Sequence, residues 1–213
     1  MLRFVFSFFG GLFTLLTLGM VMGAFVVGGV LYMYGRDLPS YETLSQYTPK
    51  TISRIYSGEG QIIDEFAVER RLFTPAEEIP DIVKQAFISA EDKNFYEHAG
   101  YDPVGMASAF VDAVQSRGEN VRGASTITQQ VMKNFLLDGS RSAERKIKEI
   151  ILASRIEGAM PKERILELYL NEIFLGQNSF GVTAAALTYF NKPLTALSPG
   201  EAAYLAALPK SPS

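Results

Sequence analysis

Residues 91–100 read Glu91-Asp92-Lys93-Asn94-Phe95-Tyr96-Glu97-His98-Ala99-Gly100. They follow an apolar repeat at helical spacing, formed by Val83, Ala86, Phe87 and Ala90. Asp81 lies near the start of this repeat, where a negative charge interacts favourably with the helix dipole. We therefore predict a helix that carries Glu91 and Asp92 at its C-terminal end.

Two more polar segments follow this helix. They read Gly123-Ala124-Ser125-Thr126-Ile127-Thr128-Gln129-Gln130 and Arg145-Lys146-Ile147-Lys148-Glu149. A buried polar group without a partner costs about 1–3 kcal/mol, so a soluble core avoids such a density of amides and charges. The three segments together indicate a polar cleft for a charged or hydroxylated substrate.

The second half of the chain is predicted to be mostly helical. Its helix-start signals are Asp102-Pro103, Ser125, Ser142, Pro161 and the capping box Ser198-Pro199-Gly200-Glu201. Gly118 is expected to end the helix that starts at Asp102, and the helix from Ser142 is expected to reach about Ala159. Before these helices, residues 52–56 and 61–66 flank Ser57-Gly58-Glu59-Gly60, which predicts a small β-hairpin.

The N-terminal region predicts a transmembrane helix. Residues 4–34 carry no charge and would form a helix of about 46 Å, longer than the roughly 30 Å core of a bilayer. The alternative is a cleaved signal peptide, which is shorter and has a small-residue cleavage site before a polar start. Arg3 and the terminal amine precede the helix, whereas Arg36 and Asp37 nearly cancel after it, so we expect the N-terminus inside.

Composition excludes several classes of function. The chain has 213 residues, 20% charged residues and a net charge of −3, so we expect no nucleic-acid partner. It has no Cys, which excludes disulfides, thiolate catalysis and Cys-based metal sites.

The three polar segments resemble motifs of the peptidoglycan glycosyltransferase domain of class A penicillin-binding proteins. They match ED-x-x-F-x-x-H-x-G, G-A-S-T-x-T-Q-Q and R-K-x-x-E in order and spacing, and the resemblance runs from about Thr51 to the end. Residues 162–171 resemble the fourth family motif, and Gly181 with residues 189–192 resembles the fifth. The resemblance implies a mainly α, bilobed, lysozyme-like domain with a small N-terminal β-hairpin, preceded by one transmembrane helix.

The resemblance also implies an activity and a place in the cell. The enzyme would polymerise lipid II into β-1,4-linked glycan strands with inversion and release polyprenyl diphosphate, at the outer face of the bacterial cytoplasmic membrane. Residues 1–36 would be the cytoplasmic tip and anchor, 37–50 a juxtamembrane linker and 51–213 the glycosyltransferase domain. By resemblance, a transpeptidase domain would follow Ser213; the alternative is a monofunctional glycosyltransferase that ends here. No S-x-x-K nucleophile motif occurs in these residues, so we expect no reaction with penicillin.

Site residues follow from the same motifs. Glu91 would be the catalytic base that deprotonates the acceptor hydroxyl, and Glu149 a second essential carboxylate near the diphosphate. The resemblance places substrate-binding roles on Asp92, Phe95, His98, Thr126, Gln130, Lys133 and Arg145. From spacing alone, Glu91 is more typical of a solvated carboxylate, and Arg145 with Glu149 of an exposed helical ion pair; the motifs reverse both interpretations. Phe95 could simply pack, and His98 could bond to backbone.

Cofactors and partners complete these expectations. One His and scattered carboxylates give no zinc pattern, but Mg²⁺ or Mn²⁺ could bind between the substrate diphosphate and Glu149. The expected partners are lipid II, the growing glycan strand, membrane lipid and envelope-assembly proteins. Phe110, Val111 and Val114 are candidates for an apolar surface in the membrane interface, although a core role fits them equally well.

Two other functions stay open at this point. The first is a lysozyme-like muramidase or lytic transglycosylase, which needs an acid but no diphosphate-binding cations. The second is a non-catalytic scaffold for envelope assembly. Lys133 and Arg145 favour the transferase over the muramidase.

Overall fold

The computed structural model describes residues 2–36, 38–39, 44, 53–60, 62–66, 70–116, 123–137 and 142–210. Over these residues the fold is mainly helical, and one long apolar helix precedes the rest. Both features were predicted and are confirmed. The bilobed, lysozyme-like layout and the division at residues 36 and 50 stay predictions.

The α-helices are α1 (Leu2–Gly35), α2 (Asp81–Glu91), α3 (Pro103–Gln115), α4 (Ile127–Leu136), α5 (Ala143–Glu157), α6 (Lys162–Glu172), α7 (Val182–Phe190) and α8 (Pro199–Ala207). Short 3-10 turns cover Ala76–Glu78, Leu194–Ala196 and Leu208–Lys210. The strands are β1 (Ser53–Tyr56), β2 (Ile62–Phe66), β3 (Arg70–Arg71) and β4 (Ser179–Phe180).

Helix α1 projects its apolar side chains away from the rest of the protein. Its stretch Phe9–Gly35 has 27 residues, is long and apolar enough to cross a membrane, and has no buried part. The end of α1 contacts α5, where Arg155 Nη2 donates to the Gly35 carbonyl at 3.2 Å. The apolar helix is therefore joined directly to the helical domain.

The strands form two small sheets. β1 and β2 pair antiparallel, with Arg54 opposite Glu65, in the region where the sequence predicts a hairpin. β3 and β4 pair in parallel and join the segment before α2 to the segment before α7.

The core forms where helices α2 and α4–α8 meet. Helix α4 packs on α5 and α6, and α2 packs along α8. Val83 and Phe87 of α2 are fully buried, as the apolar repeat predicted. Because this face is fixed in the core, the C-terminal end of α2 holds Glu91 in a defined place.

Helix starts follow the predicted caps with one correction. Ser142 and Ser198 accept hydrogen bonds from the N–H groups of Arg145 and Glu201, which confirms both caps. Helix α4 is capped by Thr126, so the prediction of Ser125 is wrong by one residue. Thr126 accepts from the Gln129 N–H, and the Gln129 side chain accepts from the Thr126 N–H. This reciprocal capping box satisfies two backbone N–H donors at once.

The predicted ends differ slightly from the observed ones. Helix α5 ends at Glu157 rather than about Ala159. Gly118 lies outside the described residues, as does most of the predicted linker 37–50. Within that linker, however, Leu44 is only 2% exposed and belongs to the core.

Gly100 fixes the loop after α2 against α5. Its φ is +91°, and a Cβ there would lie 2.4 Å from the carbonyl oxygen of Ala153. Only glycine combines this backbone angle with so close an approach. The loop 92–100 is therefore held directly over α5.

Candidate active site

A cleft of about 1070 Å³ opens at the C-terminal end of α2. Its walls come from the end of α2, the start of α3, the segment before α4, α4 itself and the turn after α8. The predicted site residues that line it are Glu91, Asp92, Thr126, Gln130 and Lys133. Residues from the first two polar segments therefore face one space.

Glu91 is held through one of its two carboxylate oxygens. Gln130 Nε2 donates to Glu91 Oε2 at 2.9 Å. Oε1 is buried and has no hydrogen-bond partner among the described residues. Glu91 lines the cleft, with Oε1 buried and Oε2 bonded to Gln130.

Asp92 joins the first segment to the second. It is only 7% exposed, and its Oδ2 accepts from the backbone N–H of Ile127 and from Nε2 of His98, both at 2.9 Å. The Ile127 N–H is the first of α4, where a negative charge is favourable. Asp92 therefore holds the start of α4 beside Glu91.

Phe95 and His98 lie behind the cleft wall. Phe95 is fully buried, and the His98 ring packs edge-on against it with centroids 6.3 Å apart. Lys162 Nζ lies 4.5 Å from the Phe95 ring centroid and donates to the His98 carbonyl at 2.7 Å. The first segment is thus anchored to the start of α6, and these two residues support the cleft rather than line it.

Thr126 combines a cap with a loop contact. Besides capping α4, its hydroxyl donates to the Gly100 carbonyl at 2.7 Å. This bond connects the end of the first segment to the start of α4, so the glycine-containing loop and the cleft wall are fixed together.

The third segment places Glu149 one layer behind the cleft. Glu149 is 3% exposed, with Oε1 3.4 Å from Arg145 Nη1 and Oε2 3.0 Å from Lys146 Nζ. Lys146 Nζ also donates to Ser125 Oγ at 2.8 Å, and Ser125 lines the cleft. Glu149 therefore orients two cations close to the cleft wall.

Lys133 interacts electrostatically with the carboxylates of both Glu149 and Glu91. Burial lowers the pKa of its ammonium group; Glu149 opposes the shift, Arg145 and Lys146 add to it, and Glu91 opposes it. These charges act on one lysine that lines the cleft, so the carboxylate at the end of α2 and the cations of α5 belong to one electrostatic site.

Three lysines at this site were not singled out from the sequence. Lys146 lies inside the third segment, but its contacts with Ser125 and Gln129 need the tertiary fold. Lys93 and Lys210 both line the cleft, and Lys210 is more than a hundred residues from Glu91 along the chain. Lys93 could have been noted beside Glu91, whereas no sequence signal marks Lys210.

The side chains that the structure describes do not form a resident metal centre. Within the part of the chain that the structure describes, no group of three His, Asp or Glu side chains could hold a metal ion. The Glu149 oxygens already face Arg145 and Lys146. The charge that a metal would balance there is balanced by side chains.

Comparison with known proteins places this chain in a family. The family model described as Transglycosylase matches residues 59–213, so the chain belongs to the transglycosylase family.

Similar relatives carry the name Penicillin-binding protein 1A. The protein of Rickettsia felis is 48% identical over 195 residues, covering 91% of this chain and 25% of the relative. That of Neisseria flavescens is 50% identical over 176 residues, covering 83% and 22%. The chain thus spans about a quarter of the length of these relatives. The crystal structure of Penicillin-binding protein 1A from Haemophilus influenzae is 28% identical and covers 78% of this chain and 15% of that chain, with a TM-score of 0.40.

Proposed function

We propose that this chain is a membrane-anchored peptidoglycan glycosyltransferase that polymerises lipid II into β-1,4-linked glycan strands with inversion. One observation carries the proposal. Glu91 and Lys133 line the same cleft, and Gln130, one turn before Lys133 on α4, bonds to Glu91. Joining a sugar hydroxyl to a sugar diphosphate needs a base and a cation in this arrangement.

Glu91 acts as the base. Its Oε2, held by Gln130, accepts the proton of the acceptor 4-hydroxyl as that oxygen attacks the anomeric carbon of the donor. The attack comes from the face opposite the diphosphate, so an α-linked donor gives a β-linkage in one step. No covalent glycosyl-enzyme is formed.

The cations stabilise the leaving group. Negative charge grows on the departing polyprenyl diphosphate, and Lys133 with Arg145 balances it. Glu149 acts by orienting Arg145 and Lys146, which lie 3.4 and 3.0 Å from its oxygens. A Mg²⁺ or Mn²⁺ ion would reach the site only together with the substrate diphosphate.

The membrane brings enzyme and substrate together. Helix α1 is long and apolar enough to cross a bilayer, and a substrate with a polyprenyl tail stays in the lipid. Phe110 and Val114 of α3 are 71% and 62% exposed, so these apolar side chains are available to the membrane interface. We place the domain on the outer face of the cytoplasmic membrane, and a transpeptidase domain after residue 213.

Lipid II polymerisation by the purified chain tests the proposal. The wild type should convert lipid II to polymer, whereas Glu91→Gln should keep its fold and lose turnover because it has no base. A matched Glu97→Gln variant, changed at an exposed carboxylate of the next loop, should behave as the wild type. Polymer made at the normal rate by Glu91→Gln would overturn the assignment.

Release of muropeptides from sacculi without any polymer would favour the muramidase. Normal cell growth with an inactive variant would favour the scaffold.

A further inference from the structure

Tyr169 of α6 has a buried hydroxyl that the mechanism above does not use. Its side chain is 1% exposed, and its hydroxyl has no hydrogen-bond partner among the described residues. Buried polar groups in folded proteins are almost always paired, so one that is not calls for an explanation.

The Tyr169 ring lies against the helix that carries Glu91. Its centroid is 6.2 Å from that of Phe87 in an edge-on contact. Phe87 is four residues before Glu91 on α2, so the two side chains share one face of that helix, one turn apart. Tyr169 therefore contacts this face of α2 one helical turn before Glu91.

The electrostatics agree with this placement. Burial raises the pKa of Tyr169 well above its usual value, and the carboxylates of Glu91 and Asp92 raise it further. The phenol therefore keeps its proton over the working range of pH and acts as a donor. Asp92 is already bonded to Ile127 and His98, whereas Glu91 Oε1 has no partner among the described residues.

We infer that Tyr169 is a positioning residue for Glu91, its hydroxyl donating to Oε1, directly or through one water, when substrate is bound. Gln130 holds Oε2, and Tyr169 holds the buried Oε1. Hydrogen bonds at catalytic groups are often long without substrate and tighten in the complex. The inference rests on the proposed function, because it assigns a partner to the same base.

Other ionisable groups near Glu91 must be kept constant in any test. They are Asp92 and Lys93 beside it in the chain, Asp102 before α3, Lys133 of α4 and Lys210 after α8. A change that removes only the Tyr169 hydroxyl leaves all of them in place.

The pH dependence of polymerisation by Tyr169→Phe tests the inference. A donor to a carboxylate stabilises its charged form, and Tyr169→Phe removes this stabilisation from Glu91. The acidic limb of kcat/KM should move up by about one pH unit, with KM for lipid II at the optimum within about twofold of the wild type. Tyr204→Phe, at a half-exposed tyrosine of α8, is the matched control and should leave the profile unchanged.

Each other outcome counts against the inference. A Tyr169→Phe profile that superimposes on that of the wild type would overturn it, as would a loss of thermal stability with an unmoved acidic limb. If the Phe variant does not fold, difluorotyrosine at position 169 keeps the hydroxyl and strengthens the donor; the limb should then move to lower pH, and an unmoved limb would overturn the inference. Normal activity of Glu91→Gln would overturn the proposed function itself. An unmoved acidic limb in the kcat/KM profile of Tyr169→Phe would overturn only the role of Tyr169.

Discussion

Asp92 accepts a 2.9 Å hydrogen bond from the backbone N–H of Ile127, 35 residues further along the chain. The bond connects the end of α2 to the first turn of α4, and these two elements carry Glu91 and Gln130. The bond between Gln130 and Glu91 therefore depends on a buried carboxylate that lies next to the base.

We predict that Asp92→Asn destabilises the fold. The change removes a buried charge that accepts from Ile127 and His98, and hydrogen bonds to charged groups contribute about 1.5–3 kcal/mol. The free energy of unfolding, measured by urea titration, should fall by about 1–3 kcal/mol. Glu97→Gln, in the exposed part of the same loop, should change it by less than about 0.5 kcal/mol. Equal stability of Asp92→Asn and wild type would contradict the role given to Asp92.

Lys133→Ala and Arg145→Ala should each weaken use of the donor substrate. Both remove a cation from the site that is proposed to balance the departing diphosphate. We expect kcat/KM for lipid II to fall about tenfold or more, since charge-assisted hydrogen bonds to phosphate are among the strong ones. Lys148→Ala is the control for Arg145→Ala. It removes another cation of α5, one that pairs with Glu144, and it should have little effect on kcat/KM. Unchanged kinetics in both test variants would remove the two residues from the phosphate site.

The lowered pKa of Lys133 predicts a loss of activity at high pH. Burial is the main cause of the shift, so the charged form is lost at a pH below the ordinary lysine value of 10.5. The unfolded chain holds this proton to higher pH, so the contribution of Lys133 to stability rises as pH increases through the same window. The pH dependence of substrate binding is the opposite. Binding weakens as pH increases, because the neutral amine no longer attracts the diphosphate.

Lys133→Arg separates these effects. Arginine stays charged throughout, so the basic limb of kcat/KM should move to higher pH even if the maximum rate is lower. A pH–rate series over the alkaline range measures this. A basic limb that stays in place in Lys133→Arg would assign it to another group.

The apolar face of α3 should matter only for substrate held in a membrane. Phe110, Val111 and Val114 are exposed, so replacing all three with Ser removes apolar surface without opening the core. We expect KM for lipid II in vesicles to rise about tenfold or more, since burying each side chain contributes roughly 1.5–3 kcal/mol. With detergent-dispersed substrate, KM should change little. Equal loss in vesicles and detergent would indicate a core or catalytic role instead.

The helices were largely predictable because their signals are local. The face of α2 follows from Val83 and Phe87 at helical spacing, and the caps at Ser142 and Ser198 follow from side chains that reach three residues ahead. The cap of α4 was placed one residue early, because Ser125 and Thr126 are both good caps. Only the reciprocal bond with Gln129 distinguishes them.

Local signals could not predict which of the site residues line the cleft and which support it from behind. Phe95 and His98 stand in the same motif as Glu91, yet they pack under Lys162 of α6 instead of lining the cleft. Lys210 lines the cleft although no motif marks it. The buried hydroxyl of Tyr169, unpaired among the described residues, could not be predicted either, because it results from the packing of the Tyr169 ring on Phe87 of α2.

Periodicity, capping residues and three polar motifs, all of them short-range features, were enough to determine the apolar first helix, the helical domain and some of the residues that line its cleft. The tertiary structure alone decided which of these side chains face the cleft, which support it from behind, and which charges act on one another. Many of those outcomes depend on contacts between residues far apart in the chain, such as Asp92 with Ile127 and Glu91 with Gln130. The sequence alone does not indicate which of these distant residues come into contact, because that depends on how the helices pack.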